Sequence, residues 1–156
     1  MTWVQVSINV KVELNQRKED KVNISIIGAG YVGLVTSVCL AHIGHQVICV
    51  DNAAEKIKRL KNGEVPIYEP GLEPLLRKYL KEKRIEFITS IKDATRKSTV
   101  IFIAVGTPSK SNGDADLTYV ENVAREIALN MDSYKLIVEK STVPTATDKE
   151  LSGRSV

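Results

Sequence analysis

The chain has 156 residues, of which 43% are hydrophobic and 26% are charged, and its net charge at pH 7 is +3. This length suits one domain rather than two, and the scattered charge, without a basic cluster, argues against a nucleic-acid partner. We expect no membrane partner and a cytoplasmic location, because no apolar run is long enough to span a bilayer and the first residues do not resemble a signal peptide.

The first predicted element is a strand over residues 4–14, where apolar and polar side chains alternate strictly. A period of two is typical of a strand with one buried and one solvent-facing side. The charged stretch 15–21 predicts a linker, so residues 1–21 form an N-terminal extension. Two interpretations stay open. The strand is an added edge or a pairing surface for another chain, or the extension comes from an upstream start codon and the natural chain begins near Val22.

The second predicted strand, Asn23–Ile27, leads into a turn with glycines at G-x-G-x-x-G spacing and then into a helix over 31–43. The turn consists of Gly28, Ala29, Gly30, Tyr31, Val32 and Gly33. In dinucleotide-binding turns the first glycine allows the tight bend, the second lets the backbone approach a pyrophosphate, and the third lets helix and strand pack closely. The start of the helix adds N–H groups without partners and a partial positive charge.

A third predicted strand, Gln46–Val50, brings an acid, Asp51, eighteen residues beyond Gly33. An acid at this position accepts hydrogen bonds from the adenosine ribose and repels the 2′-phosphate of NADP. The sequence therefore predicts NAD as the cofactor. Capping of the helix that begins near Ala53 is a compatible second role for Asp51.

The remaining pattern alternates helices and strands. Helices are predicted over 53–62, 72–80, 91–97 and 117–130, and strands ending at 87–88 and over 99–105 and 135–139. The apolar run 99–105 predicts a central strand, and 135–139 a further buried one. Cys39 and Cys49 lie among apolar residues, so we expect both in the core and no metal site. The fold class is α/β, a Rossmann-type doubly wound parallel sheet with helices on both faces, preceded by the extra N-terminal strand.

Several blocks occur in an order and spacing that resemble one family. They are GAGYVGLVT at 28–36, VD at 50–51, PIYEPGL at 66–72, VGTPS at 105–109, DLTYV at 116–120 and EKSTVP at 139–144. From about Val22 to Asp148 the chain resembles the NAD-binding domain of the UDP-glucose/GDP-mannose dehydrogenase family. The last block is similar to the UDP-glucose branch, whereas the GDP-mannose branch tends to have RSTVLP, and UDP-N-acetylmannosamine relatives stay open.

The resemblance implies a role for each matching position. The backbone from Gly28 to Gly33 would cradle the pyrophosphate, while Asp51 would hold the adenosine ribose with Lys56 beside it. The cofactor pocket would also be lined by Val105, the last residue of the 99–105 strand, and by Gly106 and Thr107, which follow it. Thr142 would contact the cofactor and help to order a catalytic water. Without the resemblance, Thr107 and Thr142 would be interpreted as turn residues next to proline.

Members of this family oxidise the C6 alcohol of a nucleotide sugar such as UDP-glucose to a carboxylate, with two NAD and a cysteine nucleophile that captures the aldehyde. The resemblance also implies a homodimer for the full-length family. The family's catalytic glutamate, lysine and cysteine follow the 139–144 block. We therefore expect residues 22–156 to be an NAD-binding domain that is incomplete at its C-terminus, with the substrate-binding domain absent and the chain alone inactive.

Two alternatives remain. The chain could be a free-standing NAD-binding or regulatory module that uses the 4–14 strand to dock a partner. It could also be a relative of hydroxyacyl-CoA or phosphogluconate dehydrogenases that shares only the glycine turn, although the 66–72 and 139–144 blocks argue against this.

Overall fold

The computed structural model describes residues 21–111 and 114–141. In chain order the elements are β1 (Asn23–Ile27), α1 (Tyr31–His42), β2 (Gln46–Val50), α2 (Ala54–Lys61), α3 (Leu72–Lys81), β3 (Ile85–Ile88), α4 (Ile91–Lys97), β4 (Val100–Ile103), α5 (Thr118–Asn130) and β5 (Leu136–Glu139). The predicted strand over 4–14 lies outside the described residues, as does Thr142. None of the helices in these ranges has both the length and the apolar character needed to cross a membrane.

The five strands of the described ranges form one parallel sheet in the order β3-β2-β1-β4-β5. The register places Ile26 of β1 beside Cys49 of β2 and Phe102 of β4. The chain winds outward from β1 to β3 and then crosses back to β4, so the direction of winding reverses between β1 and β4. Open α/β sheets bind ligands at such a reversal, outside the carboxyl ends of the strands. The predicted Rossmann-type sheet is confirmed.

Helices pack on both faces because side chains alternate along each strand. Ile24 and Ile26 of β1 join a core with α1, α2 and α3, and Ile27 joins a second core with α4 and α5. Leu34 and Val38 of α1 are completely buried, and burial of such side chains contributes roughly 1.5–3 kcal/mol each. The start of α1 is therefore held firmly at the carboxyl edge of the sheet.

The strand expected to be central, β4, is an inner strand between β1 and β5. Two details differ from the expectations. The predicted buried strand β5 carries Leu136 and Ile137 at 50% and 39% exposure, because it is the outermost described strand and pairs with β4 on one side. Cys39 is exposed, since it follows the buried Val38 on the outward side of α1, whereas Cys49 is buried as expected.

Candidate functional site

The protein's own packing requires two glycines of the turn. Gly28 has a φ of +111°, and a Cβ there would lie 2.5 Å from the carbonyl oxygen of Ala104. A Cβ on Gly33 would lie 1.8 Å from the carbonyl oxygen of Gly28. The Gly28 N–H donates to the Val50 carbonyl at 2.7 Å. These contacts bind the turn to β2 and β4, and they explain the first and third glycines without any ligand.

The middle glycine has no such explanation. Gly30 has an ordinary φ of −74°, and a Cβ there would meet no heavy atom within 4 Å. Gly30 is also the N-cap of α1, which has no side-chain cap and no acidic residue in its first turn. The turn thus leaves open space in front of a helix N-terminus, where N–H groups and the helix dipole favour an anion. This space fits the pyrophosphate that the sequence predicts.

Asp51 joins the end of β2 to this turn. Its Oδ2 accepts hydrogen bonds from the Ala29 N–H at 3.0 Å and from Lys56 Nζ at 2.7 Å, and its Oδ1 accepts one from the Ala53 N–H at 3.0 Å. The Asp51 side chain is 9% exposed, and that of Lys56 is 34% exposed. The placement beside the glycine turn is therefore present. The expected capping of α2 is not, because the N-cap of α2 is Ala53 and Asp51 bonds to the N–H of this residue rather than to an N–H of the first helical turn.

The surroundings keep Asp51 ionised. Burial of the carboxylate acts to raise its pKa, but hydrogen bonds from Lys56, Ala53 and Ala29 and the charge of Lys56 outweigh this effect. The net result is a pKa of Asp51 below its ordinary value of 3.8. At neutral pH the group is a fixed negative charge that can accept hydrogen bonds from hydroxyl groups and repels a phosphate.

The segment after β4 forms the neighbouring wall. The Ala104 N–H donates to the Ile27 carbonyl at 2.8 Å, and the Cβ position of Gly28 lies 3.1 Å from the Val105 nitrogen. Gly106 is exposed and has open space around its Cβ position, and Thr107 is half-buried. The structure therefore brings the glycine turn, Asp51 with Lys56, and the segment from Val105 to Thr107 to one edge of the sheet.

Sequence reasoning missed one contact at the rim. Tyr31 and Val32, in the first turn of α1, are 54% and 47% exposed. The Tyr31 hydroxyl donates a hydrogen bond to the Glu69 carboxylate, and this bond raises the pKa of Tyr31. Glu69 lies in the 66–72 block, so the motif itself was the available signal, but nothing local showed that it reaches α1.

A doubly wound parallel sheet with this glycine turn and this acid defines a dinucleotide-binding Rossmann domain. Comparison with known proteins gives the family. The model for the UDP-glucose/GDP-mannose dehydrogenase family, NAD binding domain, matches residues 22–155, and the chain belongs to this family. The predicted family and its NAD cofactor are confirmed.

Individual relatives support the same family assignment. The UDP-glucose 6-dehydrogenase TuaD of Bacillus subtilis is 51% identical over 126 residues, which are 81% of this chain and 27% of TuaD. A UDP-glucose dehydrogenase structure from Pyrobaculum islandicum matches with a TM-score of 0.85 and 40% identity, over 90% of this chain and 33% of that one. The GDP-mannose dehydrogenase of Pseudomonas aeruginosa, solved as a ternary complex, matches with a TM-score of 0.80 and 45% identity, over 83% of this chain and 30% of that one. The chain thus spans a third or less of the length of these relatives.

Proposed function

We propose that this chain binds NAD at the carboxyl edge of its sheet. The backbone from Gly28 to Gly33 holds the pyrophosphate, Asp51 and Lys56 hold the adenosine ribose, and the segment from Val105 to Thr107 lines the pocket. Thr142, outside the described residues, completes the proposed set. The observation that carries the proposal is the open space at Gly30, in front of an α1 N-terminus that no side chain caps.

Hydrogen-bond capacity supports the ribose role. A carboxylate has about four acceptor positions, of which Asp51 uses three, so one remains on Oδ1. An ammonium group has three donors, and Lys56 gives one to Asp51. In the proposal one ribose hydroxyl donates to Asp51 and its neighbour accepts from Lys56. The Asp51–Lys56 pair therefore matches a 2′,3′-diol.

In the complete protein NAD would supply the hydride acceptor, and this chain's residues would bind and orient it. We assign UDP-glucose as the nucleotide-sugar substrate, oxidised at C6 to a carboxylate, because TuaD and the Pyrobaculum islandicum enzyme carry that name and the 139–144 block resembles that branch. Because the similar Pseudomonas aeruginosa structure is a GDP-mannose dehydrogenase, GDP-mannose is the second candidate substrate, to be compared with UDP-glucose in any assay.

The proposed domain organisation is an extension over 1–21 and an NAD-binding domain over 22–156. A Rossmann domain holds a cofactor, but oxidation of a sugar also needs a sugar site and a nucleophile. The chain matches 27% of TuaD, and we place those two elements in the unmatched part. The isolated chain is then inactive, and the complete protein is a cytoplasmic homodimer. Two free cysteines agree with a reducing compartment.

Calorimetric titration of the chain with NAD tests the cofactor site, with Asp51→Ala as the site variant and Asp93→Ala, an exposed acid of α4, as the matched control. NAD should bind to the wild type and the control, and more weakly to Asp51→Ala. Absence of NAD binding to the wild type overturns the proposal. Incubation with NAD and UDP-glucose should give no NADH, and steady NADH formation would refute the assignment of sugar site and nucleophile to the unmatched part.

A further inference from the structure

The segment between α2 and α3, residues 64–70, is bounded by a left-handed glycine at each end. Gly63 and Gly71 have φ values of +75° and +82°. Glycine adopts this conformation without a steric cost, so the chain can turn sharply before and after the segment. We call residues 64–70 the rim segment.

The rim segment leads into α3 at the carboxyl edge of the sheet. β3 is parallel to its neighbour β2, and α3 is joined to it by the short turn 82–84. α3 therefore runs against the strands, and its first residue, Leu72, lies at the edge where the strands end. α1 begins at the same edge with Tyr31, directly after Gly30. The rim segment thus lies on the side of the sheet where the pyrophosphate is proposed to bind.

A single hydrogen bond joins the rim segment to the start of α1. The Tyr31 hydroxyl donates it to the Glu69 carboxylate. Among the described residues, the other hydrogen bonds of the segment go to α2 and to the first residue of α3, at its two ends. Val65 and Ile67 pack partly against the core, whereas Tyr68 is 92% exposed. The part of the segment near Tyr68 is therefore held to α1 by the Tyr31–Glu69 bond.

The proposed reaction requires the cofactor site to empty and refill. Oxidation of an alcohol to a carboxylate takes two hydride transfers, and each NAD accepts one hydride. One cofactor must therefore leave, and a second must enter, in every turnover. The inference that follows rests on the proposed function, because it concerns the same site.

We propose that the Tyr31–Glu69 bond is a latch, which holds the rim segment against α1 and sets the rates at which the cofactor enters and leaves. Tyr31 is the residue next to Gly30, so the latch borders the open space in front of α1. Loops that must open before a ligand moves limit exchange in many enzymes, and a few residues at their ends absorb the change in φ and ψ. Gly63 and Gly71 are suited to this role. Loss of the latch should therefore speed entry and release by similar factors.

Stopped-flow fluorescence of NADH binding to the whole chain tests the latch. Glu69→Ala and Glu69→Gln both remove the charge, but only glutamine keeps an oxygen that accepts a hydrogen bond from Tyr31. Relative to Glu69→Gln, Glu69→Ala should bind and release NADH roughly 3- to 10-fold faster, the effect of one lost hydrogen bond, while Kd changes by less than about twofold.

Two further variants show whether both partners act through one bond. Tyr31→Phe should also speed binding and release, and its combination with Glu69→Ala should give no further acceleration, because the bond is already absent. Tyr119→Phe is the matched control, since Tyr119 lies in the first turn of α5 and is 55% exposed, compared with 54% for Tyr31. It should keep the wild-type rates.

Three results overturn the latch while NADH still binds. They are equal rates in Glu69→Ala and Glu69→Gln, additive acceleration in the double variant, and faster release without faster binding. The last would mean that Glu69 stabilises the bound cofactor instead of controlling access to the site. Absence of NADH binding to the wild type is a different outcome, because it overturns the proposed function and this inference together.

Discussion

Replacement of two glycines of the turn by alanine should have opposite consequences. Gly30→Ala adds a methyl group where the protein has no heavy atom within 4 Å and where φ is −74°, so the fold tolerates it. Gly33→Ala adds a methyl group 1.8 Å from the Gly28 carbonyl oxygen. The first variant should lose cofactor binding and keep its stability, and the second should lose stability.

The distances set the magnitudes. In Gly30→Ala the methyl group occupies the space assigned to the pyrophosphate, and loss of one charge-assisted hydrogen bond costs about 1.5–3 kcal/mol, or roughly 10- to 150-fold in Kd. Its melting temperature should change by no more than about 2 °C. In Gly33→Ala the helix must move by more than about 1 Å, against the fully buried Leu34 and Val38. Overpacking of this kind costs about 1–3 kcal/mol or more, which lowers Tm by roughly 2–10 °C.

Calorimetric titration with NAD and thermal unfolding without ligand, carried out on both variants, measure the two effects. In thermal unfolding, Gly106→Ala serves as a comparison that should keep its stability, because Gly106 also has open space around its Cβ position. Wild-type affinity of Gly30→Ala for NAD would refute the assignment of the pyrophosphate to this turn. Wild-type stability of Gly33→Ala would refute the account of how α1 packs on β1.

The remaining predictions concern Asp51 and the two cysteines. Asp51→Asn should reduce the preference for NAD over NADP by about tenfold, or roughly 1.4 kcal/mol. The reason is that the variant no longer repels a 2′-phosphate and that Lys56 is freed to pair with it. An unchanged ratio of the two Kd values would contradict the ribose role. The stabilisation from ionised Asp51, whose pKa is lowered by folding, should be complete above about pH 4 and be lost as the pH falls through the folded-state pKa. Denaturant titrations should accordingly show the wild type and Asp51→Asn converging in acid, and divergence there would be evidence against this reasoning. Burial raises the pKa of Cys49 to about 12, whereas Cys39 is exposed. Iodoacetamide should therefore label Cys39 alone in the folded protein. Detection of labelled Cys49 in the folded protein by mass spectrometry would disprove its burial.

Local patterns made much of the fold predictable. Short apolar runs next to a turn depend on residues a few positions apart, so the strands at 23–27 and 46–50 follow from sequence with their observed bounds, as does the short connecting helix at 91–97. The glycine spacing and the acid after β2 are likewise local, and they led to the predicted turn, the acid and NAD. All of these features form within single strand-helix units.

Burial at the sheet edge depends on the whole topology and could not be read locally. The apolar sequence of β5 resembles that of a buried strand, but Leu136 and Ile137 are exposed because the crossover from β3 to β4 places β5 at the edge of the described sheet. In the same way, a single position in a helix pattern does not show that Cys39 faces outward. Exposure is decided by which elements cover a residue, and those elements are distant in the chain.

The sequence by itself determined the order of strands and helices, the glycine turn and the presence of an acid after the second strand, because each arises from neighbouring residues. Only the tertiary structure decided that the packing requires Gly28 and Gly33 but not Gly30, and that Tyr31 bonds to Glu69. It also showed that Asp51 is held between the glycine turn and Lys56. These facts depend on distances between segments that meet only when parallel strands align their carboxyl ends at one edge.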